Sequence, residues 1–112
     1  YAPQLLTKEN TSYPSVTKGI AKAWGAINTS DDSVFAGDYN LGSGTNVGTG
    51  LTTVSFSTAM EDNDFICVGS RENGVVCFNS RAIGSVRVDS RNYSGTGEDS
   101  GEVYFAVFGQ IT

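Results

Sequence analysis

The segment Glu102–Ile111 constrains the fold of this chain more than any other part of the sequence. In an extended conformation it presents apolar side chains on both faces of the strand. One face carries Val103, Phe105, Val107 and Ile111, and the other carries Tyr104, Ala106 and Phe108. Antiparallel strands with one face in water alternate apolar with polar residues, and this segment does not. We therefore predict a β-strand that is covered on both faces, either by the rest of its own chain or by a second chain.

Large aromatic side chains left in water on such a strand would form an apolar patch of the kind that marks a protein interface. Tyr104 and Phe108 are the candidates on this strand, and Trp24 lies on an earlier segment, Ile20–Asn28, with the same double character. We predict that these three residues contact another chain. The sequence leaves open which face of Glu102–Ile111 packs in the core.

The remaining segments also have the composition and spacing of strands and turns. The 112 residues include 14 glycines, and the apolar residues are mostly Val, Phe, Tyr and Ile, which favour strands. We therefore predict an all-β fold, an antiparallel, jelly-roll-like β-sandwich over residues 19–112. Residues 1–18 contain both prolines and are predicted to be an extended lead-in from a preceding region, or else a strand that adds to the sheet. Further strands are predicted at Val34–Leu41, Leu51–Thr58, Phe65–Ser70, Val75–Ser80 and Ser85–Arg91.

Two connections have distinct signatures. Gly42–Gly50 is predicted to be a hairpin loop, and Asn73-Gly74 favours a tight hairpin between the strands on either side of it. In that hairpin Cys67 and Cys77 would point to opposite faces of one sheet, because their cross-strand positions differ by an odd number of residues. We therefore predict two free and largely buried thiols.

The ionisable residues narrow the classes of function. Histidine is absent, which removes Ser-His-Asp and Cys-His catalysis and histidine-based zinc sites. The net charge of -5 and the pI of about 4.4 disfavour nucleic acid as a partner. No apolar run approaches the roughly 20 residues of a membrane span, so no membrane insertion is expected. We predict a binding or assembly module that is not an enzyme and needs no cofactor or metal.

Acidic residues and glycine-rich loops supply the candidate sites. Carboxylates cluster at Asp31-Asp32, Glu61–Asp64 and Glu98-Asp99, and we interpret them as turn caps, with calcium binding or a glycosidase pair as alternatives. Loops on a rigid scaffold commonly carry binding sites. The candidate contact residues are Arg71, Glu72 and Asn73 in one turn and Tyr93, Glu98 and Asp99 in the glycine-rich loop Asn92–Gly101.

Several short motifs occur in an order that is found in a known family. They are Ala21-Lys22-Ala23-Trp24, Tyr39-Asn40, Gly48-Thr49-Gly50, Thr53–Met60, Asp62-Asn63-Asp64, Val86-Arg87-Val88 and Ala106–Gly109. In this order and spacing, from about Lys18 to Gly109, the chain resembles the C-terminal tip domain of bacteriophage tail fibres and related virion appendages. Gly25-Ala26-Ile27 and the two cysteines depart from the pattern of that family.

The resemblance implies a β-sandwich that assembles as a homotrimer at the distal end of a fibre and attaches the virion to a host cell-surface glycan or outer-membrane protein. It implies a place in the virion, beside other virion tail proteins, after assembly in the bacterial host cytoplasm. One face of Glu102–Ile111 would then pack in the sandwich and the other against the sister chains. The alternative is a structural virion module, such as a fibre cap, a head decoration or a trimerisation domain, without receptor contact. A polysaccharide-cleaving enzyme is a third possibility.

Overall fold

The computed structural model describes residues 19–111. The predicted lead-in, residues 1–18, lies outside the described residues, as does Thr112. The described part is all-β and contains no α-helix. Its eight strands are β1 (Ala21–Asn28), β2 (Ser33–Val34), β3 (Leu41–Gly48), β4 (Leu51–Phe56), β5 (Ile66–Arg71), β6 (Val75–Ala82), β7 (Ser85–Arg91) and β8 (Val103–Phe108).

The strands form two antiparallel four-stranded sheets. The first sheet has the order β2-β1-β8-β5, and the second sheet has the order β3-β4-β7-β6. A single cluster of buried apolar residues lies between them, with members from both sheets, so the fold is sandwich-like. The prediction of an all-β antiparallel fold is therefore confirmed.

Strand β8 lies in the middle of the first sheet and pairs with both β1 and β5. Val103 and Val107 are fully buried and Phe105 is 5 % exposed, so this face of β8 packs in the core. Tyr104 on the other face is 48 % exposed. Residues 19–111 therefore bury one face of β8 and leave Tyr104 on the other face half exposed. The expectation that the chain itself covers both faces is not met by these residues.

Local alternation predicted the core positions of the second sheet correctly. Thr52, Val54 and Phe56 of β4 are buried, as are Val86 and Val88 of β7. The two sheets meet through aromatic side chains, since the ring centroids of Phe78 and Phe105 lie 5.8 Å apart.

The glycine-rich segment was predicted wrongly. Residues Gly42–Gly50 are not a loop, because β3 runs from Leu41 to Gly48. The strand predicted at Val34–Leu41 is also wrong, since of that range only Val34, in β2, and Leu41, in β3, lie in strands. A Cβ atom at Gly42 would lie 2.5 Å from the Ser55 hydroxyl oxygen. Gly42 and Gly44 of β3 therefore allow a close approach of the strand to its neighbours, which composition alone does not distinguish from a loop.

The predicted hairpin around Asn73-Gly74 is also wrong. Strand β5 pairs with β8 and β6 pairs with β7, so this turn passes from the first sheet to the second. Asn73 has the positive φ of 56° that such a turn requires, but turn chemistry specifies a local reversal and not the strand that receives the hydrogen bonds. Cys67 and Cys77 therefore belong to different sheets. Both are free, as predicted, but Cys67 is only half-buried and Cys77 is exposed.

Candidate functional site

The strand registers place two groups of loops at opposite ends of the sandwich. One end, called here the loop end, carries the turns 28–33, 48–51 and 71–75 and the loop 92–102. The other end, called here the entry end, carries Gly19 and Ile111 together with the segment 57–65 and the turn between β6 and β7. All six candidate contact residues lie at the loop end.

The structure brings the two candidate loops together at this end. Arg71 Nη2 donates to Glu98 Oε1 at 2.7 Å, which joins the turn after β5 to the loop before β8. Asp99 Oδ1 accepts a hydrogen bond from the Gly50 N–H at 2.7 Å, which adds the β3–β4 turn. The loop end is therefore one connected surface, although its parts are far apart in the sequence.

The candidates differ in exposure. Tyr93 is 75 % exposed, and Glu72 and Asn73 are exposed in the turn after β5. The Arg71 side chain, by contrast, is only 6 % exposed, while that of its partner Glu98 is 47 % exposed. Arg71 therefore faces into the protein in this structure and is not presented to a partner.

Hydrogen bonds within the loop hold the tip that carries Tyr93. Asn92 Oδ1 accepts from the N–H groups of Ser94 at 3.0 Å and Thr96 at 3.1 Å, and the Asn92 N–H donates to Thr96 O at 2.9 Å. Gly95 has a φ of 87°, which favours glycine at this corner. The exposed aromatic ring is thus mounted on a well-bonded tight turn.

Three of the clustered carboxylates, Asp31, Asp62 and Asp99, accept hydrogen bonds from backbone N–H groups, as the turn-cap interpretation predicts. Asp32 instead binds the Thr52 hydroxyl. Asp31 Oδ1 accepts from the Ser33 hydroxyl at 2.6 Å and from its N–H at 3.0 Å, and these bonds lower the pKa of Asp31. Asp62 Oδ1 accepts from the Asp64 N–H at 2.9 Å. No group of three metal-ligating side chains occurs among residues 19–111.

The second candidate surface is the outer face of the first sheet, the side turned away from the second sheet. Its members are uncharged, and several are large and about half exposed, including Trp24 at 47 % and Tyr104 at 48 %. Acidic residues border it, with Asp38 beside Trp24, and Glu61, Asp62 and Asp64 beside Phe108. Register places Trp24 opposite Ala106 and Phe108 opposite Ile66, so the three predicted interface residues share this face. The outer face consists of Trp24, Ala26, Tyr39, Ile66, Val68, Ser70, Tyr104, Ala106 and Phe108.

Sequence reasoning missed three members of this face. Tyr39 is bound to Trp24 by two backbone hydrogen bonds of 3.0 Å and 2.8 Å, and the two rings stack with centroids 6.3 Å apart. Ile66 and Val68 are 62 % and 52 % exposed. Their spacing of two residues within β5 places both side chains on one face of the strand, and this spacing is the signal by which the sequence could have identified them. A shallow groove of about 520 Å³ runs between Trp24 and Tyr104 over small residues.

In the described part of the chain, no helix has the length and apolarity that crossing a membrane requires. Comparison of the chain with protein-family models, curated proteins and solved structures gives no match.

Proposed function

We propose that this chain forms the distal domain of a bacteriophage tail fibre, assembles as a homotrimer and attaches the virion to a host cell-surface glycan or outer-membrane protein. The observation that carries the proposal is the uncharged outer face of the first sheet, combined with a loop end opposite the end where Gly19 enters the sandwich. The motif order described above supplies the fibre context and the three-fold symmetry. In the virion the domain would lie beside other tail proteins.

The size of the outer face supports contact with sister chains. The strands β1, β8 and β5 lie about 4.8 Å apart and contribute at least six residues each at about 3.3 Å per residue, so they span roughly 10 Å by 17 Å before side chains are added; β2 adds two residues at one edge. Trp24, Tyr104 and Phe108 lie within this area and are not fully buried. Exposed apolar patches larger than a few hundred Å² are rare on monomeric proteins and mark interaction sites, and the exposed side chains of Tyr39, Ile66 and Val68 enlarge this one. A second copy of the same apolar surface is a matching cover.

The jelly-roll-like strand order is part of the proposal. Eight strands in two four-stranded sheets, with β1 beside β8, support it. In a trimer with its outer faces turned inward, the three loop ends would lie side by side at the end away from the entry end. That arrangement presents three copies of Tyr93 to one cell surface.

A structural virion module without receptor contact is the second candidate. The same outer face favours it, because a fibre cap or a trimerisation domain also needs a face for sister chains. The loop end distinguishes the attachment domain from the structural module, because an exposed Tyr93 on a hydrogen-bonded turn is explained by contact with a receptor and not by assembly alone.

The attachment function is tested with the fluorescently labelled full chain and a panel of Gram-negative bacterial strains. We expect at least one strain to retain the protein after washing, and unlabelled protein to compete for the same cells. A Tyr93→Ala chain should be retained less. A truncation of an exposed side chain at the entry end, Ile83→Ala, should leave retention normal, since Ile83 is 54 % exposed. Retention by no strain would favour the structural module, and hydrolysis of isolated capsule or O-antigen by the chain would support the enzyme instead.

Assembly is tested separately by light scattering. We expect the mass of a trimer for the full chain at micromolar concentration. Phe108→Asp should dissociate or unfold it, because a buried unpaired carboxylate costs several kcal/mol or must be neutralised. Thr45→Asp adds the same charge at an exposed position of the second sheet and should leave the trimer intact. A monomer at this concentration for the unaltered chain would contradict the proposed interface.

A further inference from the structure

Arg71 ends β5 on the core side of the first sheet, yet it is a charged residue whose side chain is only 6 % exposed. A buried guanidinium is costly unless most of its five N–H groups are bonded, so its partners indicate what it does. Its position across from Val103 places it at the open margin between the two sheets, under the loop end.

Five hydrogen bonds hold the Arg71 side chain. Nη2 donates to Glu98 Oε1 at 2.7 Å, and Nη1 donates to Glu98 O at 3.4 Å, so one residue of the loop is bound twice. Nη1 also donates to the fully buried Ser90 hydroxyl at 3.0 Å and to Arg91 O at 3.2 Å. Nε donates to Glu72 O at 3.1 Å. The guanidinium thus connects β5, the end of β7 and the loop before β8.

The backbone around Arg71 leaves space for this arrangement. A Cβ atom on Gly74 would lie 2.6 Å from Arg71 Nε and 2.7 Å from Cζ, so the guanidinium packs directly against the glycine of the following turn. Glu98, the bound loop residue, donates its N–H to Ser90 O at 3.0 Å. The base of the loop is therefore fixed by side-chain and backbone bonds together.

The far side of the loop is held by a second arginine. Arg91 Nη1 donates to Gly95 O at 3.2 Å, while its Nε and Nη2 bind the two oxygens of the buried Asp89 at 3.1 Å and 2.8 Å. Tyr93 lies in the turn that Arg91 and the Asn92 side chain support from one side and Arg71 supports through Glu98 from the other. Nothing in the described chain covers its ring, which is 75 % exposed.

We propose that Arg71 is a positioning residue, which acts on binding only through the loop that presents Tyr93. The inference rests on the proposed attachment function and changes the role expected for Arg71 from direct contact to preparation of the contact surface. A loop that is ordered before binding loses less conformational freedom when it meets its partner, which is the usual gain from preorganisation. A rigid, exposed tyrosine is also the residue type that dominates many binding surfaces.

The first part of the test measures loop order without any partner. In Arg71→Met and Arg71→Lys, amide hydrogen exchange of Ser94, Thr96 and Glu98 should accelerate about tenfold or more, since their bonded turn loses its anchor. The core amides of β4 should be unchanged. Arg81→Met makes the same charge change on an exposed residue of β6 and should leave the loop amides as they are in the unaltered chain. Unchanged exchange in both Arg71 variants would overturn the proposal.

The second part is a double-mutant cycle on the bacterial strain that retains the unaltered chain most strongly. We expect Arg71→Met to weaken retention about tenfold, because the loop must then be ordered when it binds; tenfold corresponds to about 1.4 kcal/mol. In the Tyr93→Ala background the same substitution should have no further effect. If the two losses multiply instead, Arg71 does not act through Tyr93 and the proposal is wrong.

The two parts also distinguish this inference from the function on which it rests. If no strain retains the unaltered chain, the attachment function fails, and the binding role of Arg71 fails with it even where exchange shows an anchored loop. If strains retain the unaltered chain and the Arg71 variants equally well, only the role of Arg71 fails.

Discussion

Tyr104 and Phe105 are adjacent in β8, and replacing each with alanine separates the two faces of that strand. Phe105 is 5 % exposed and its ring packs against Phe78, so Phe105→Ala removes a core side chain and leaves a cavity. Tyr104 is 48 % exposed on the outer face. The two substitutions should therefore affect different equilibria, the folding of one chain and the association of several.

The expected magnitudes differ enough to be measured. Replacing a buried phenylalanine with alanine in a packed core costs about 3–5 kcal/mol. The whole free energy of unfolding of a small domain is about 5–15 kcal/mol. Full burial of a large side chain contributes about 1.5–3 kcal/mol, and Tyr104 is half exposed, so Tyr104→Ala should cost a single chain about 1 kcal/mol. In the proposed assembly Tyr104 becomes fully covered, so the free-energy cost of Tyr104→Ala should be larger there than in a single chain.

Urea unfolding at several protein concentrations distinguishes these effects. Phe105→Ala should lower the free energy of unfolding by a similar amount at every concentration. For Tyr104→Ala the loss should be small in dilute protein and should increase with concentration, because association stabilises the folded state by mass action. If Tyr104→Ala is as destabilising as Phe105→Ala in dilute monomer, the outer face is covered within the chain and the assignment of the two faces is wrong.

Three further expectations follow from single sites. Gly69→Ala should unfold or strongly destabilise the domain, because its Cβ would lie 2.5 Å from the Tyr104 carbonyl oxygen, whereas Gly101→Ala, which meets no atom within 4 Å, should be neutral in thermal unfolding. At pH 8 a disulfide reagent should modify the exposed Cys77 quickly and Cys67 slowly, because burial raises the pKa of the Cys67 thiol from 9.0 to about 11; two equally fast thiols in the folded protein would contradict this. The folded state keeps a Cys67 proton that the unfolded chain releases near pH 9, so the contribution of this thiol to stability is complete below pH 9 and is lost as the pH rises through about 11. The curve of stability against pH for Cys67→Ala should lack this loss.

The parts of the fold that the sequence predicts are those encoded in neighbouring residues. The period of two in β4 and β7 identified their buried positions, and the apolar residues of β8 identified it as a strand with two apolar faces. The partners of β5 and β6 were not predictable in the same way. A turn such as Asn73-Gly74 has the same local chemistry whether it joins paired strands or passes between sheets, and the choice depends on β8, which follows much later in the chain.

The candidate site shows the same division between local and distant information. Sequence reasoning selected two of the four connections at the loop end, the turn 71–75 and the loop 92–102, because glycine-rich and polar turns have recognisable composition. It did not predict that Arg71 would be buried, since its partner Glu98 lies 27 positions further on. For the outer face, Trp24 and Tyr104 were identified from their own strands. Tyr39 was missed because it joins the sheet by an isolated bridge outside any regular strand.

The central position of β8 also has a consequence in time. Strand β8 is the last of the described strands to be synthesised, yet it lies between β1 and β5 and holds both in the first sheet. The second sheet lies wholly within residues 41–91 and can form on the ribosome before residues 103–108 emerge. Until then its apolar inner side has no complete sheet to cover it, and such exposed intermediates are prone to aggregate. The core is therefore closed, and hidden from chaperones and proteases, only after β8 has been added.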